Sequence, residues 1–301
     1  MPRRPLRARP PRALALALTL ALGAGVGGCK KSSDGGSAAP GAGGASASAT
    51  DGVALRYKSG AFKLKQDARI SVTMSGGGQS GSFAVDAVGL LDVSDQGGKL
   101  KVAHSVVEVR DVKMEGALKP EPKDGKAPPD PKAELLKATG ATLIDLRGAP
   151  DAEGTTALAE NKKDGPKGDF DDLGDFLGLP QLPEPTLTLG KPVKQEKREE
   201  QTIGGSLKIP TDEESTYTLL KVEEVGGRRL AEVKIESESS GAVEAQGGMI
   251  SIDSVAEGVI VFDLATQLPV RVHIEQTQTF AFGNQGGGES RVVIDATFEP
   301  A

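Results

Sequence analysis

The 301-residue chain is poor in aromatic residues, with eight Phe, two Tyr and no Trp, and its formal net charge is −6. A net acidic chain lacks the surplus of lysine and arginine that neutralises phosphates, which excludes nucleic acid as a partner. The scarcity of aromatic rings argues equally against stacking platforms for sugars or single-stranded bases.

The first 28 residues predict a secretory signal peptide. Five arginines, at positions 3, 4, 7, 9 and 12, precede an apolar run from Ala13 to Val26, and small residues follow. A basic region, a short apolar region and small residues at a cleavage point form the order of such a leader. The apolar run spans about 14 residues, fewer than the roughly 20 that cross a bilayer. Removal of residues 1–28 would leave a net charge of about −11.

Cys29 is the only cysteine of the chain, and it directly follows Gly27 and Gly28. Small residues before a lone cysteine resemble the lipobox of bacterial lipoproteins, in which the cysteine is acylated and becomes the new N-terminus. The resemblance implies palmitate-type lipidation at Cys29 and a stable membrane anchor, because two or three acyl chains hold a protein firmly. Lys30, where an aspartate would retain a Gram-negative lipoprotein at the inner membrane, implies the outer membrane, facing the periplasm. A free thiol is the alternative interpretation of Cys29.

Residues 29–52 predict a lipidated cysteine followed by a flexible tether. Their composition is dominated by Ser, Gly and Ala, which cannot bury enough apolar surface to order a chain. A coil of this length spans about 25 Å on average, enough to clear the head groups of a bilayer. We expect residues 53–301 to form one β-rich domain beyond the tether.

Alternating apolar residues begin at Val53 and predict strands with one buried face. The run from Phe83 to Val93 is the clearest example, and Gly76–Gly78 separates it from the preceding run as a hairpin loop would. In the next run the apolar face changes parity between Val106 and Val107. This change predicts either a β-bulge or a strand buried on both sides.

Two polar segments interrupt the strand pattern. Residues 116–133 contain five prolines among charged residues and predict an exposed loop, because proline cannot donate to a sheet. Residues 149–168 predict a second polar loop. Between them, Ala133–Ala138 fits one helical turn and Ala141–Leu146 fits a short strand.

The best helix candidate is Phe170–Leu177, which places its apolar residues on one face behind a suitable N-cap, Asp169. Strand-like alternation then returns between Tyr217 and Phe298, broken by turns such as Gly226-Gly227. Strands separated by glycine turns, without long alternating helices, predict antiparallel pairing. The predicted fold class is therefore mainly β: an antiparallel, strand-rich domain with a curved sheet or half-barrel form, one or two short helices and long polar loops.

Two segments carry a second resemblance. The first runs from Leu182-Pro183-Glu184 to Gly190, and the second contains Gly258–Asp263 and then Leu268-Pro269-Val270. Together they resemble an uncharacterised family of β-rich bacterial envelope lipoproteins, loosely over residues 53–301. In that family a tryptophan follows the first segment, where this chain has Lys191-Pro192. The resemblance implies a fold and a location, and it carries over no functional residue.

The sequence presents no catalytic or metal-binding constellation. His104 and His273 lie in predicted strands without the clustered ligands of a zinc site, and a strand-face role is expected for each. The aspartates around Phe170 lack the glutamate that closes a calcium loop. No Gly-x-Ser-x-Gly motif is present, and Gly286–Gly288 fits a hairpin loop rather than a phosphate cradle. The charge run Glu196–Glu200 predicts a solvated strand or linker face.

These patterns lead to a functional hypothesis without enzymatic activity, cofactor or metal. We expect a membrane-tethered lipoprotein of the bacterial cell envelope that acts as a binding or structural module. Its partners would be the membrane, through acylated Cys29, and an apolar ligand or another envelope protein. Two alternatives remain open at this point: a lipid or lipoprotein carrier-like protein with an apolar groove, and a hydrolase of unrecognised type.

Overall fold

The computed structural model describes residues 52–119, 128, 130–151, 178–203, 207–245, 248–283 and 286–301. The predicted signal peptide, Cys29, the tether up to residue 51 and the predicted helix Phe170–Leu177 lie outside these residues. Most of the two predicted polar loops lies outside them as well.

The described residues form strands almost throughout, together with one short helix, α1, at Pro131–Leu135. The first four strands are β1 (Phe62–Gly76), β2 (Gln79–Asp95), β3 (Leu100–Gly116) and β4 (Thr139–Ile144). The other six are β5 (Pro192–Ile203), β6 (Leu207–Val225), β7 (Arg228–Ala245), β8 (Gly248–Asp263), β9 (Leu268–Phe282) and β10 (Gly287–Pro300).

All ten strands belong to one antiparallel sheet with the order β4-β3-β2-β1-β10-β9-β8-β7-β6-β5. Strand β1 lies in the middle of the sheet, and β2 to β4 follow outward to one edge. Strand β5 lies at the opposite edge, and β6 to β10 return strand by strand to β1. The sheet is open, with β4 and β5 as its two edges. The predicted fold class, mainly β and antiparallel, is confirmed.

Side-chain alternation gives the sheet an inner face and an outer face. On β1, for example, Leu64, Ala68, Ile70 and Val72 are buried, whereas their polar neighbours are solvated. Most inward side chains join one large apolar cluster that extends across the sheet. Each fully buried large apolar side chain in it contributes about 1.5–3 kcal/mol of transfer free energy.

Two chain segments close one end of this cluster. Residues 52–58 and 178–190 are joined by paired backbone hydrogen bonds between Val53 and Leu187, of 2.7 and 2.8 Å. The Tyr57 ring packs edge-on against Phe262 of β8, with 5.8 Å between ring centroids. Its hydroxyl donates a 2.5 Å hydrogen bond to the Pro180 carbonyl. We call these two stretches the crossing segments.

Of the two predicted explanations for the parity change at Val106 and Val107, the structure shows the β-bulge. Gly89 of β2 pairs with Val106 and Val88 pairs with Glu108, so Val107 has no opposite residue. Val106 is buried and Val107 is 48% exposed. A second extra residue, Arg110, follows on the same strand.

Several predicted boundaries were wrong. The helix is Pro131–Leu135 rather than Ala133–Ala138, and it begins inside the predicted loop 116–133. Asp130 sets this start, because its carboxylate accepts the Lys132 amide at 3.1 Å and proline suits the first helical turn. The short strand is β4, Thr139–Ile144, two residues earlier than predicted.

Strands β8 and β9 are each continuous, although the apolar alternation of the sequence is interrupted in the middle of each. The apolar signal fades in the middle of β8 because Ser254, Ala256 and Gly258 occupy its inward positions. In β9 the corresponding inward positions are held by Gln276 and Gln278. The interrupted pattern therefore marks polar residues on the inner face, and not breaks in the strands.

Candidate binding site on the inner face

A row of polar side chains crosses the inner face from the β5 edge to the middle of the sheet. Each member is the cross-strand partner of the next, and direct partners in a sheet point to the same face. We call this set the inner polar row: Lys197, Glu213, Ser239, Ser254, Gln278 and Ser290, one from each of β5 to β10.

Solvent exposure falls along the inner polar row. Lys197, Glu213 and Ser239 are half-buried, near the sheet edge. Ser254 is only 6% exposed, and Gln278 and Ser290 are each 1% exposed. The inner polar row therefore extends from the solvated edge of the sheet into its buried interior.

The outer part of the row has internal hydrogen-bond partners. The Glu213 carboxylate accepts from the Ser215 hydroxyl at 2.8 Å and from the Ser237 hydroxyl at 2.9 Å. These two serines face each other on β6 and β7. Deeper in the sheet, the Gln276 amide donates to the Ser254 hydroxyl at 2.8 Å.

The deep end of the row has no such partners. Neither polar atom of the Gln278 side chain, nor the Ser290 hydroxyl, has a hydrogen-bond partner among the described residues. A buried polar group left unpaired costs about 1–3 kcal/mol, and native proteins rarely leave one without a protein, water or ligand partner. Gln278 and Ser290 are neighbours on β9 and β10. Together they form a hydrogen-bonding surface whose donors and acceptors have no partner among the described residues.

Apolar side chains flank the row on both sides. Toward the β8–β9 strand ends opposite the crossing segments lies a small apolar cluster, built on Ile209, Ile250 and Ile252 with partly buried Phe280 and Phe282. On the other side, the inward positions Ser215, Ser237, Ala256 and Gln276 separate the row from the large apolar cluster, which the row meets directly at Val292 of β10. The inner face of β6–β10 is thus amphipathic in cross-section, with a polar band between two apolar regions.

A cleft on strands β5–β8 lies at the level of this row, and most of its lining is on the outer face of the sheet. Its volume is about 740 Å³, within the roughly 300–1,000 Å³ of small-molecule sites. Strands β5–β8 line it, and the lining includes Lys197, Glu213, Ser239 and Ser254 of the inner polar row. The acidic residues Glu196, Asp212, Glu214, Glu238 and Asp253 also line it. Each directly adjoins a member of the inner polar row along its strand, so these carboxylates lie on the outer face.

The outer face carries ion pairs instead of a polar band. Arg110, the extra residue of the second bulge, contacts Asp67 at 2.7 Å and Asp86 at 3.2 Å. The hydrogen bond from Arg110 holds the pKa of the Asp67 carboxyl below its usual value. These exposed pairs tie β1, β2 and β3 together, with little net stabilisation expected from each.

The two histidines lie on opposite faces of the sheet. His104 of β3 is buried on the inner face, 8% exposed, and packs close to Gly140. His273 of β9 faces outward, with Nδ1 2.7 Å from the Asp295 carboxylate and Nε2 3.7 Å from that of Glu275. Across the described ranges, no group of three or more His, Cys, Asp and Glu is placed to hold a metal ion.

Other sequence predictions have mixed outcomes. Gly76–Gly78 does form the β1–β2 turn, with positive φ at Gly77 and Gly78, and the charge run Glu196–Glu200 lies in β5. Cys29 and the aspartates around residue 170 lie outside the described residues. The inner polar row was missed, because serine and glutamine at inward positions weaken the alternation by which strands are found.

No family model matches the chain, and no curated protein matches it. Among solved structures, it is similar to the crystal structure of a DUF1329 family protein from Desulfovibrio piger ATCC 29098, at 12% identity. The match covers 80% of this chain and 86% of the other, with a TM-score of 0.11. In the part of the chain that the structure describes, none of the helical residues forms a span long and apolar enough for a bilayer.

Proposed function

We propose that this protein is a non-enzymatic binding module that takes up an amphiphilic small molecule on the inner face of its sheet. One observation carries the proposal: Gln278 and Ser290 are almost fully buried, have no described hydrogen-bond partner and lie between two apolar regions. A ligand with both an apolar part and hydrogen-bonding groups would satisfy both features at once.

The proposal places this module on a membrane, where amphiphiles are abundant. Lipidation at Cys29 and the tether up to residue 52 would hold the sheet within about 25 Å of the bilayer surface. The expected location is the bacterial cell envelope, with the outer membrane favoured by Lys30. The chain would then act as a carrier-like or scavenging protein.

Anchoring is tested by Cys29→Ser in the full chain. We expect the variant to remain unprocessed at its leader and to leave the detergent phase in a phase-partition assay, because it cannot be acylated. Metabolic labelling with radioactive palmitate should mark the wild type alone. Equal labelling of both chains would overturn the anchor.

Ligand binding is tested on the folded full chain by extraction. We expect organic solvent to release an amphiphile that is not covalently attached, at about one molecule per chain, with mass spectrometry as the readout. Gln278→Leu should lower this occupancy. Thr279→Val, on the next residue of β9 and on the outer face, is the matched control and should retain it. Recovery of no amphiphile from wild-type protein would refute the proposed function.

A further inference from the structure

We infer that the bound amphiphile has an uncharged head group bearing hydroxyls, seated at Gln278 and Ser290, with its apolar chain against the small apolar cluster. This inference rests on the proposed function and adds the chemical class and the orientation of the ligand. An acylglycerol has the required chemistry.

The residues around Gln278 and Ser290 are uncharged, and this favours an uncharged head group. Inward positions next to Gln278 on its own and the neighbouring strands hold only uncharged residues: Ile252, Ser254, Ala256, Gln276, Phe280, Gly288, Ser290 and Val292. The nearest charged member of the row, Glu213, is three strands away, roughly 14 Å at ordinary strand spacing. A charged head group at Gln278 would therefore be buried without a counter-charge, which is strongly unfavourable.

The hydrogen-bonding inventory of the deep end fits hydroxyl groups. The Gln278 amide offers an acceptor oxygen and a nitrogen with two donors, and the Ser290 hydroxyl both donates and accepts. A head group that pairs with all of them must donate and accept at neighbouring atoms. Adjacent hydroxyls do this without carrying charge.

The direction of the ligand's acyl chain follows from which of the two apolar regions the protein itself already covers. The crossing segments pack into the large cluster, where Tyr57, Leu182 and Leu187 are all at or below 1% exposure. The small cluster contains none of them, and its Phe280 and Phe282 rings are only partly buried. An acyl chain leaving Gln278 toward Ile252 and Phe280 would cover these rings.

Photolabelling of the full chain in isolated cell envelopes tests this. The probes are a 1-acylglycerol with a diazirine in its acyl chain and the free fatty acid with the same chain. We expect half-maximal labelling by the acylglycerol at a concentration at least about tenfold lower, with labelled peptides from β8 to β10. Gln278→Leu should raise that concentration about tenfold through lost hydrogen bonds. The melting temperature should stay the same or rise, because an unpaired buried amide is removed.

Ser290→Ala is a second, smaller variant with the same expected direction, and Thr279→Val should label like wild type. Fatty acid labelling as strong as that of the acylglycerol would overturn the inference. A second result would also overturn it: Gln278→Leu and Ser290→Ala label like wild type and melt at a higher temperature. That result would mean that only ordered water occupies the site. In both cases a bound amphiphile would leave the proposed function intact. If neither probe labels the wild type and extraction recovers nothing, both fail.

Discussion

Asp263 fastens the turn between β8 and β9, and its replacement by alanine should destabilise the protein substantially. The side chain is 1% exposed. Its Oδ2 accepts from Arg228 Nε at 2.9 Å, and its Oδ1 accepts from the amides of Ala265 and Thr266 at 2.9 and 3.3 Å. The turn also contains Gln267, the only described non-glycine residue with positive φ.

The size of the effect follows from these contacts. A hydrogen bond between charged groups contributes about 1.5–3 kcal/mol, and each of the two backbone bonds about 1 kcal/mol. Because Arg228 is half-exposed, water can replace its lost partner in part. We therefore expect Asp263→Ala to lower the free energy of unfolding by about 3 kcal/mol. Asp263→Asn, which retains Oδ1 for the two amides, should cost about 1–2 kcal/mol.

The ionised carboxylate gives this turn a pH dependence. Burial raises the pKa of Asp263, but hydrogen bonds from Arg228 and from the Ala265 and Thr266 amides outweigh burial and hold the pKa below its usual value. A group with a depressed pKa in the folded state stabilises the fold above its unfolded pKa of about 3.9, and this stabilisation is lost as pH falls through the folded pKa. The difference between wild type and Asp263→Asn should shrink over that acidic range.

Urea denaturation of the full chain and both variants at pH 7 and at a series of lower pH values measures these effects. Equal destabilisation by Asp263→Ala and Asp263→Asn would contradict the role given to the backbone bonds. A difference between wild type and Asp263→Asn that stays constant down to the acid limit would refute the charge argument.

Gly140→Ala, with Gly248→Ala as its control, and Tyr57→Phe test two further contacts. Gly140→Ala would place a Cβ 2.2 Å from His104 Cε1, so we expect urea denaturation to show about 1–3 kcal/mol of destabilisation. The control is Gly248→Ala, whose Cβ would meet its nearest atom at 3.8 Å and should change the free energy of unfolding little. Equal stability of these two variants would show that β3 and β4 are not so close. Tyr57→Phe should cost about 1 kcal/mol, because the Pro180 carbonyl loses its 2.5 Å donor. A wild-type melting temperature for Tyr57→Phe would contradict that bond.

The sequence predicted the local features of the fold well. Alternation identified the strands, and the parity change at Val106 and Val107 located a bulge, because a residue without an opposite partner must shift the apolar period by one. The sequence did not predict which strands pair when they are far apart along the chain. The pairing of β1 with β10 joins Leu64 to Pro300, and no local period encodes that partnership.

The candidate site was harder to predict than the fold. The inward positions of Ser254 and Gln278 can be assigned only once β8 and β9 are known to be continuous strands. Their significance then depends on register, because six residues from six strands must align to form the row. A single strand with one inward polar residue would be unremarkable. Only the cross-strand alignment makes the site visible.

The position of β10 has a consequence for how the protein is made. This strand lies between β1 and β9, and it is the link through which the two halves of the sheet are hydrogen-bonded. Because β10 leaves the ribosome after the other nine strands, β1 and β9 have unsatisfied edges until synthesis of Gly287–Pro300 is finished. Until then these edges present unpaired backbone groups to other chains, so the incomplete sheet is exposed to aggregation.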